Sequence, residues 1–281
     1  MGDTIDLIQP LSEVSFKVKA LIYGPPGVGK TAFAAAGPNT LYLDADGTGA
    51  LTILNFPELA AACRVLQIRE FNQMLDVLDA LRSHDPRLAK IETVVIDTLS
   101  ELQKRHLDEV IMREKAVNPN RATIPFQQDY KTNTEGMRRL VIWFRDLDLN
   151  IICVAHETVE KDELTGALIS RPLLTPRLAS TMEGIFDLFG YMTAEIDADF
   201  NVTRTLQVMP SRRVKAKTRI GGLPPVMKDP TFQTILDAKA RMIENNQNQP
   251  ALAGPIPTGP KPFVPLTNQS VEGTEGESSA V

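Results

Sequence analysis

"LIYGPPGVGKTAFAAAG" runs from Leu21 to Gly37, and its reading decides the fold. An apolar run ends at Gly24, four residues lead to Gly29-Lys30-Thr31, and small residues follow as far as Gly37-Pro38. The stretch matches the whole G-x-x-x-x-G-K-[ST] phosphate-loop pattern, between an expected strand and an expected helix. Gly24, Gly27 and Gly29 allow a loop, with Pro25, Pro26 and Val28 between them, whose backbone N–H groups turn inward around phosphate oxygens. Thr31 and Ala32 open the helix, whose N-terminus adds its positive dipole end. Lys30 supplies a cation for the β- and γ-phosphates, and Thr31 offers a hydroxyl to Mg²⁺. The expected ligands are therefore ATP and Mg²⁺.

Outward from the loop, strands and helices alternate. "FKVKALIYG" (Phe16 to Gly24) reads as the strand entering the loop, and "TLYLDAD" (Thr40 to Asp46) as a second buried strand ending in acids. "FNQMLDVLDALRSHD" carries Phe71, Met74, Leu75, Leu78 and Leu81 at helical spacing. "IETVVIDTLS" is a third strand. Its Asp97, after four apolar residues, fits a Walker B acid that holds Mg²⁺ together with Thr31. Helices are expected over Leu99 to Val117 and Phe126 to Leu147, followed by the strand "NIICVAHE" (Asn150 to Glu157). A charged hairpin-like loop turns at Thr165-Gly166, and two further strands meet around Asp197 to Asn201. The pattern predicts an α/β domain with a mostly parallel central sheet flanked by helices and antiparallel strands near the C-terminus.

Composition narrows the class. Hydrophobic content of 43% in 281 residues supports an ordinary globular core, and no apolar run reaches the length of a membrane span. A cytoplasmic location and no membrane partner are expected. Cys63 and Cys153 lie far apart among apolar neighbours and read as reduced core thiols. A net charge of −5 excludes a surface coated in positive potential, although "SRRVKAKTR" (Ser211 to Arg219) is a dense local basic run. Residues 1–15 read as an N-terminal extension, 16–244 as the nucleotide-binding domain, and 245–281 as a disordered Pro/Gly-rich acidic tail.

The residue after Asp97 is Thr98, where remodelling ATPases of the AAA+ class place a catalytic Glu. Asp44 and Asp46, at the end of a strand expected in the same sheet, are the available carboxylates. Here the chain resembles the RecA family, whose catalytic Glu ends the strand after the phosphate-loop helix. "LYLDAD" puts Asp46 at that position, one methylene short of a Glu, and the resemblance makes it the general base. The resemblance makes His156 and Glu157, at the tip of "IICVAHE", sensors of the γ-phosphate. It makes Lys217 and Arg219, in "KTRIGGLP", cations that reach a neighbouring subunit's nucleotide.

The order of elements from Phe16 to Lys228 is most similar to phage RecA-like ATPases. Within these it resembles the Sak-type single-strand annealing proteins, also labelled phage AAA-family nucleotide-binding proteins. That likeness implies ATP-dependent binding of single-stranded DNA, annealing or recombination, a filament or ring of identical subunits, and contact with a single-strand DNA-binding protein. From the residues alone, Lys161, Arg171 and Arg177, and the cations of Arg113 to Arg121, offer charge for DNA but no aromatic platform. Two other readings stand beside it: an ATP-binding assembly protein with little hydrolysis, and a nucleotide or small-molecule kinase with the basic run as its lid.

Overall fold

The structure is a computed structural model that describes residue 5 and residues 8–161 and 166–247. Contacts divide the chain into Met1–Pro250 and Ala251–Val281. Residues 248–281 of the tail expected over 245–281, and the turn residue Thr165, lie outside the described residues.

Six strands form the parallel core: β1 (Lys19–Gly24), β2 (Thr40–Asp44), β3 (Arg64–Gln67), β4 (Thr93–Asp97), β5 (Asn150–Lys161) and β7 (Leu188–Ile196). Their order across the sheet is β7-β1-β5-β4-β2-β3. β1, β2 and β4 are buried along their whole length, which explains why they read as unbroken apolar runs and not as alternations. The strand β5 lies between the loop-bearing β1 and the acid-bearing β4, pairing Ile151 with both Lys19 and Val94. That insertion makes the fold a RecA-like P-loop arrangement.

Helices cover both faces. On one, α1 (Lys30–Ala35), α2 (Gly49–Leu54) and α8 (Phe232–Gln247) bring Phe33, Ile53, Phe232 and Ile235 against Ile22, Val95 and Val154. On the other, α4 (Phe71–Arg82), α5 (Leu99–Val117), α6 (Gln127–Arg145) and α7 (Pro176–Ile185) bury Met74, Leu102, Met137, Leu140 and Met182. The helix α5 begins where Thr98 accepts a hydrogen bond from the Glu101 N–H at 3.2 Å, capping the first turn.

An antiparallel flank completes the sheet. The strand β8 (Val202–Gln207) returns along β7, and β10 (Val226–Lys228) pairs with β8. The strand β6 (Leu168–Pro172) forms the expected hairpin with β5, and β9 (Lys217–Thr218) pairs with β7. Four helices go beyond the sequence reading: α2, α3 (Pro57–Ala62), α7 and α8. The last of these carries the folded chain to Gln247, past the expected boundary at residue 244.

Candidate nucleotide site

The loop from Gly24 to Thr31 leaves the C-terminal end of β1 and enters α1. Gly24 is fixed by close approach: a Cβ there would lie 2.0 Å from the Met192 carbonyl oxygen of β7. Gly29 sits at φ 97°, a left-handed conformation that L side chains rarely adopt. Lys30 is nearly buried, and its Nζ donates to the carbonyls of Gly24 at 2.8 Å and Pro25 at 2.6 Å. Burial lowers the Lys30 pKa, opposed by the nearby carboxylates of Asp97, Glu157 and Asp46.

Asp97 ends β4 and is 2% exposed. The Thr31 hydroxyl donates to its Oδ2 at 2.7 Å, and the Tyr42 hydroxyl donates to the same oxygen at 2.7 Å. Burial raises the Asp97 pKa, while those two donors and Lys30 oppose the rise. A hydroxyl and a carboxylate joined beneath the phosphate loop form the hard-oxygen donor set that Mg²⁺ takes, so Thr31 and Asp97 fit the expected cation. The Asp97–Thr98 peptide is cis.

The two acids after β2 have different surroundings. Asp44 is fully buried and holds its own loop, accepting from the Gly47 N–H at 2.7 Å and the Ala50 N–H at 3.3 Å. Asp46 lines the cavity instead. Its backbone N–H donates to the Asp97 carbonyl at 3.2 Å, which joins the ends of β2 and β4. Its Oδ2 accepts from the Thr48 hydroxyl at 2.5 Å, and its Oδ1 lies 3.9 Å from His156 Nε2. His156 sits in β5 opposite Gly24, where its N–H donates to the Ser100 hydroxyl of α5 at 3.0 Å.

Comparison with known proteins agrees with this geometry. The family described as AAA domain matches residues 17–220. The chain belongs to that family. No curated protein matches the sequence. Among solved structures, the flagellar accessory protein FlaH from Methanocaldococcus jannaschii is similar at 10% identity and a TM-score of 0.39, over 75% of this chain and 85% of that one. A likeness of that size adds nothing to the assignment.

The AAA domain thus gathers Lys30, Thr31, Asp46, Asp97 and His156 around one cavity of about 640 Å³. Glu157, on the next residue of β5, accepts from the Tyr191 hydroxyl at 3.0 Å and is not among the residues lining that cavity. Lys217 and Arg219 also lie elsewhere. Lys217 donates to the Glu183 carbonyl, while Arg219 donates to the Gly184 carbonyl at 3.1 Å and pairs with Asp187 at 3.1 Å. Within one chain these two cations therefore cap the C-terminal end of α7. Their neighbour in β7, Leu188, pairs with Ala20, four residues below Gly24 on β1.

Two residues that sequence reading missed belong to the site. Glu101, in the first turn of α5, brings its carboxylate within 4.8 Å of the ligand atoms of Asp46 and His156. The signal was present, because Glu101 follows the Walker B Asp97 by four residues, but only the fold turns it toward β2. Arg204 of β8 lines the cavity from the opposite side. No spacing in the sequence relates Arg204 to the loop, because the β7–β8 register brings them together.

Proposed function

We propose that the protein is a Mg²⁺-dependent ATPase that works on single-stranded DNA, in strand annealing or recombination of the phage type, as an assembly of identical subunits. The observation that carries the ATPase reading is the 2.7 Å hydrogen bond between Thr31 and the buried Asp97, directly under the Gly24–Thr31 loop. Bound there, Mg²⁺ supplies charge neutralisation along the β- and γ-phosphates. The loop N–H groups and Lys30 hold the phosphate chain. Lys30 has two carbonyl partners to exchange for phosphate oxygens. Asp46 orients a water for in-line attack and accepts its proton, with His156 and Glu101 beside it. The short Asp46 side chain, held by Thr48, favours slow turnover.

Support for the nucleic-acid part comes from the α5–α6 connection. The rings of Phe126 and Tyr130 are exposed there, and the Arg121 guanidinium lies 4.7 Å from the Phe126 ring centre while it pairs with the buried Asp129. Phe126 and Tyr130, exposed at the start of α6 after the Asn118-Pro119-Asn120 break, offer the aromatic surface on which bases of a single strand stack. The basic run Ser211 to Arg219 lines no part of the cavity, so it does not have a kinase lid's position. Its engagement of a neighbour's nucleotide is part of the proposal.

An ATPase assay across protein concentration, with and without single-stranded DNA, tests the reading. Turnover that rises with DNA and with concentration is expected. Turnover that ignores both, or that needs a small-molecule acceptor, contradicts it.

A further inference from the structure

The cavity has two chemically different ends. In the order β8-β7-β1-β5-β4-β2, the phosphate loop leaves the middle of the row. Asp97 and Asp46 come from β4 and the end of β2 on one side, and Arg204 comes from β8 on the other. Gly24 ends β1 against Met192, but β7 continues to Ile196, so the β7–β8 hairpin stands above the sheet edge beside the loop. Arg204 is opposite Ala194 on that raised part.

Its placement is fixed by the backbone. The Arg204 N–H donates to Asp229 Oδ1 at 2.8 Å, and the Asp229 N–H donates to the Arg204 carbonyl at 2.7 Å. The next two residues, Pro230 and Thr231, line the same cavity. The side chain lies over Gly29, where a Cβ would fall 2.7 Å from Arg204 Nε. Lys30 and Arg204 are the two Lys or Arg side chains among the described residues lining the cavity. Lys30 is engaged by carbonyls, whereas the Arg204 guanidinium has no acidic partner among the described residues.

We infer that Arg204 binds the nucleotide in cis at its α-phosphate and so sets the direction in which the nucleotide lies. The inference rests on the ATP-binding reading above and deepens it. The γ-phosphate belongs at the end where Thr31, Asp97 and Asp46 converge, and the loop holds the middle of the chain. The nucleoside end then runs toward β8, where the first phosphate oxygens meet an unpaired guanidinium whose fork suits them. Gly29 has a second task here: it leaves the room that the arginine occupies.

Calorimetric titration with ADP and with a slowly hydrolysed ATP analogue tests this on wild type, Arg204→Ala, Arg204→Lys and Lys30→Ala, alongside nucleotide-free melting temperatures. Loss of one charge-assisted contact weakens both nucleotides by the same factor, about tenfold to a hundredfold. Arg204→Lys recovers part of that loss, and the nucleotide-free melting temperature of Arg204→Ala stays at the wild-type value. Equal affinity in Arg204→Ala overturns the inference alone, as does a loss confined to the ATP analogue, which places the side chain at the γ end. An equal fall in nucleotide-free stability makes it a structural residue. Wild-type protein that binds neither nucleotide overturns the parent reading as well.

Discussion

The parallel half of the sheet and its antiparallel flank contribute to the same cavity in different ways. Asp46 and Asp97 come from the C-terminal ends of β2 and β4, Lys30 from the loop that follows β1, and His156 from β5 level with Gly24, so all four meet where loops of a parallel α/β sheet converge. The flank delivers Arg204 from the middle of a strand, through a register set by Ala194 and Asp229. In the first region chemistry follows from position along the chain, and in the second it follows from pairing. The comparison teaches that the motif half holds the phosphate chemistry while the flank sets where the rest of the nucleotide lies.

The comparison breaks first at Lys30. Lys30→Ala removes a nearly buried cation from the motif half, and ATP affinity falls at least about a hundredfold, read by calorimetry. The far-UV spectrum of the folded protein is retained. Normal affinity in the folded variant would move the site elsewhere.

The edge of the parallel half, where β7 meets β1 and carries the flank, comes next. Gly24→Ala places a methyl 2.0 Å from the Met192 carbonyl, so β1 and β7 must separate. A loss of about 2–3 kcal/mol in denaturant unfolding is expected. Unchanged stability would show that β1 and β7 can part at this point without cost.

The smallest effect lies away from both regions. His106 of α5 is buried, stacks on Phe71 at 3.9 Å and is contacted by Asn133. Burial, with a smaller contribution from Arg113, lowers its pKa to about 4, while the unfolded chain keeps the ordinary value near 6.5. Between those values the unfolded state binds the extra proton, so stability is full above pH 6.5 and falls as pH drops toward 4. A decline of several degrees in melting temperature is expected over that window, and His106→Gln should flatten it. An unchanged slope in the variant would assign the acid sensitivity to other groups.

How much was legible follows the same division. Helix α5 begins at Leu99 and ends at Val117 as its sequence reads, because Thr98 caps it and Asn118-Pro119 stops it. Strands β2 and β4 were legible as buried apolar runs ending in acids. Helix α7 carried an unused signal: Pro176 follows Thr175 at its start, and Leu178, Ala179, Met182 and Ile185 are buried at helical spacing. Helices α2 and α3 have six residues each, too few for periodicity to separate from loop. Within the site, Asp46 and Asp44 stand two residues apart, and only hydrogen bonding to Gly47 and Ala50 shows that Asp44 is the one committed to the loop. Lys217 and Arg219 were legible as a basic run, but their α7 partners depend on long-range pairing with β7.

The central claim is that Asp46 serves the chemical step without holding the nucleotide. Asp46→Asn keeps the shape of the side chain and the Thr48 contact while removing its basicity. Single-turnover hydrolysis, measured beside the dissociation constant for Mg²⁺-ATP, separates the two roles. The account predicts a wild-type dissociation constant within about twofold and a hydrolysis rate lowered at least about a hundredfold. Wild-type hydrolysis by Asp46→Asn would contradict it and pass the role to Glu101 or Glu157.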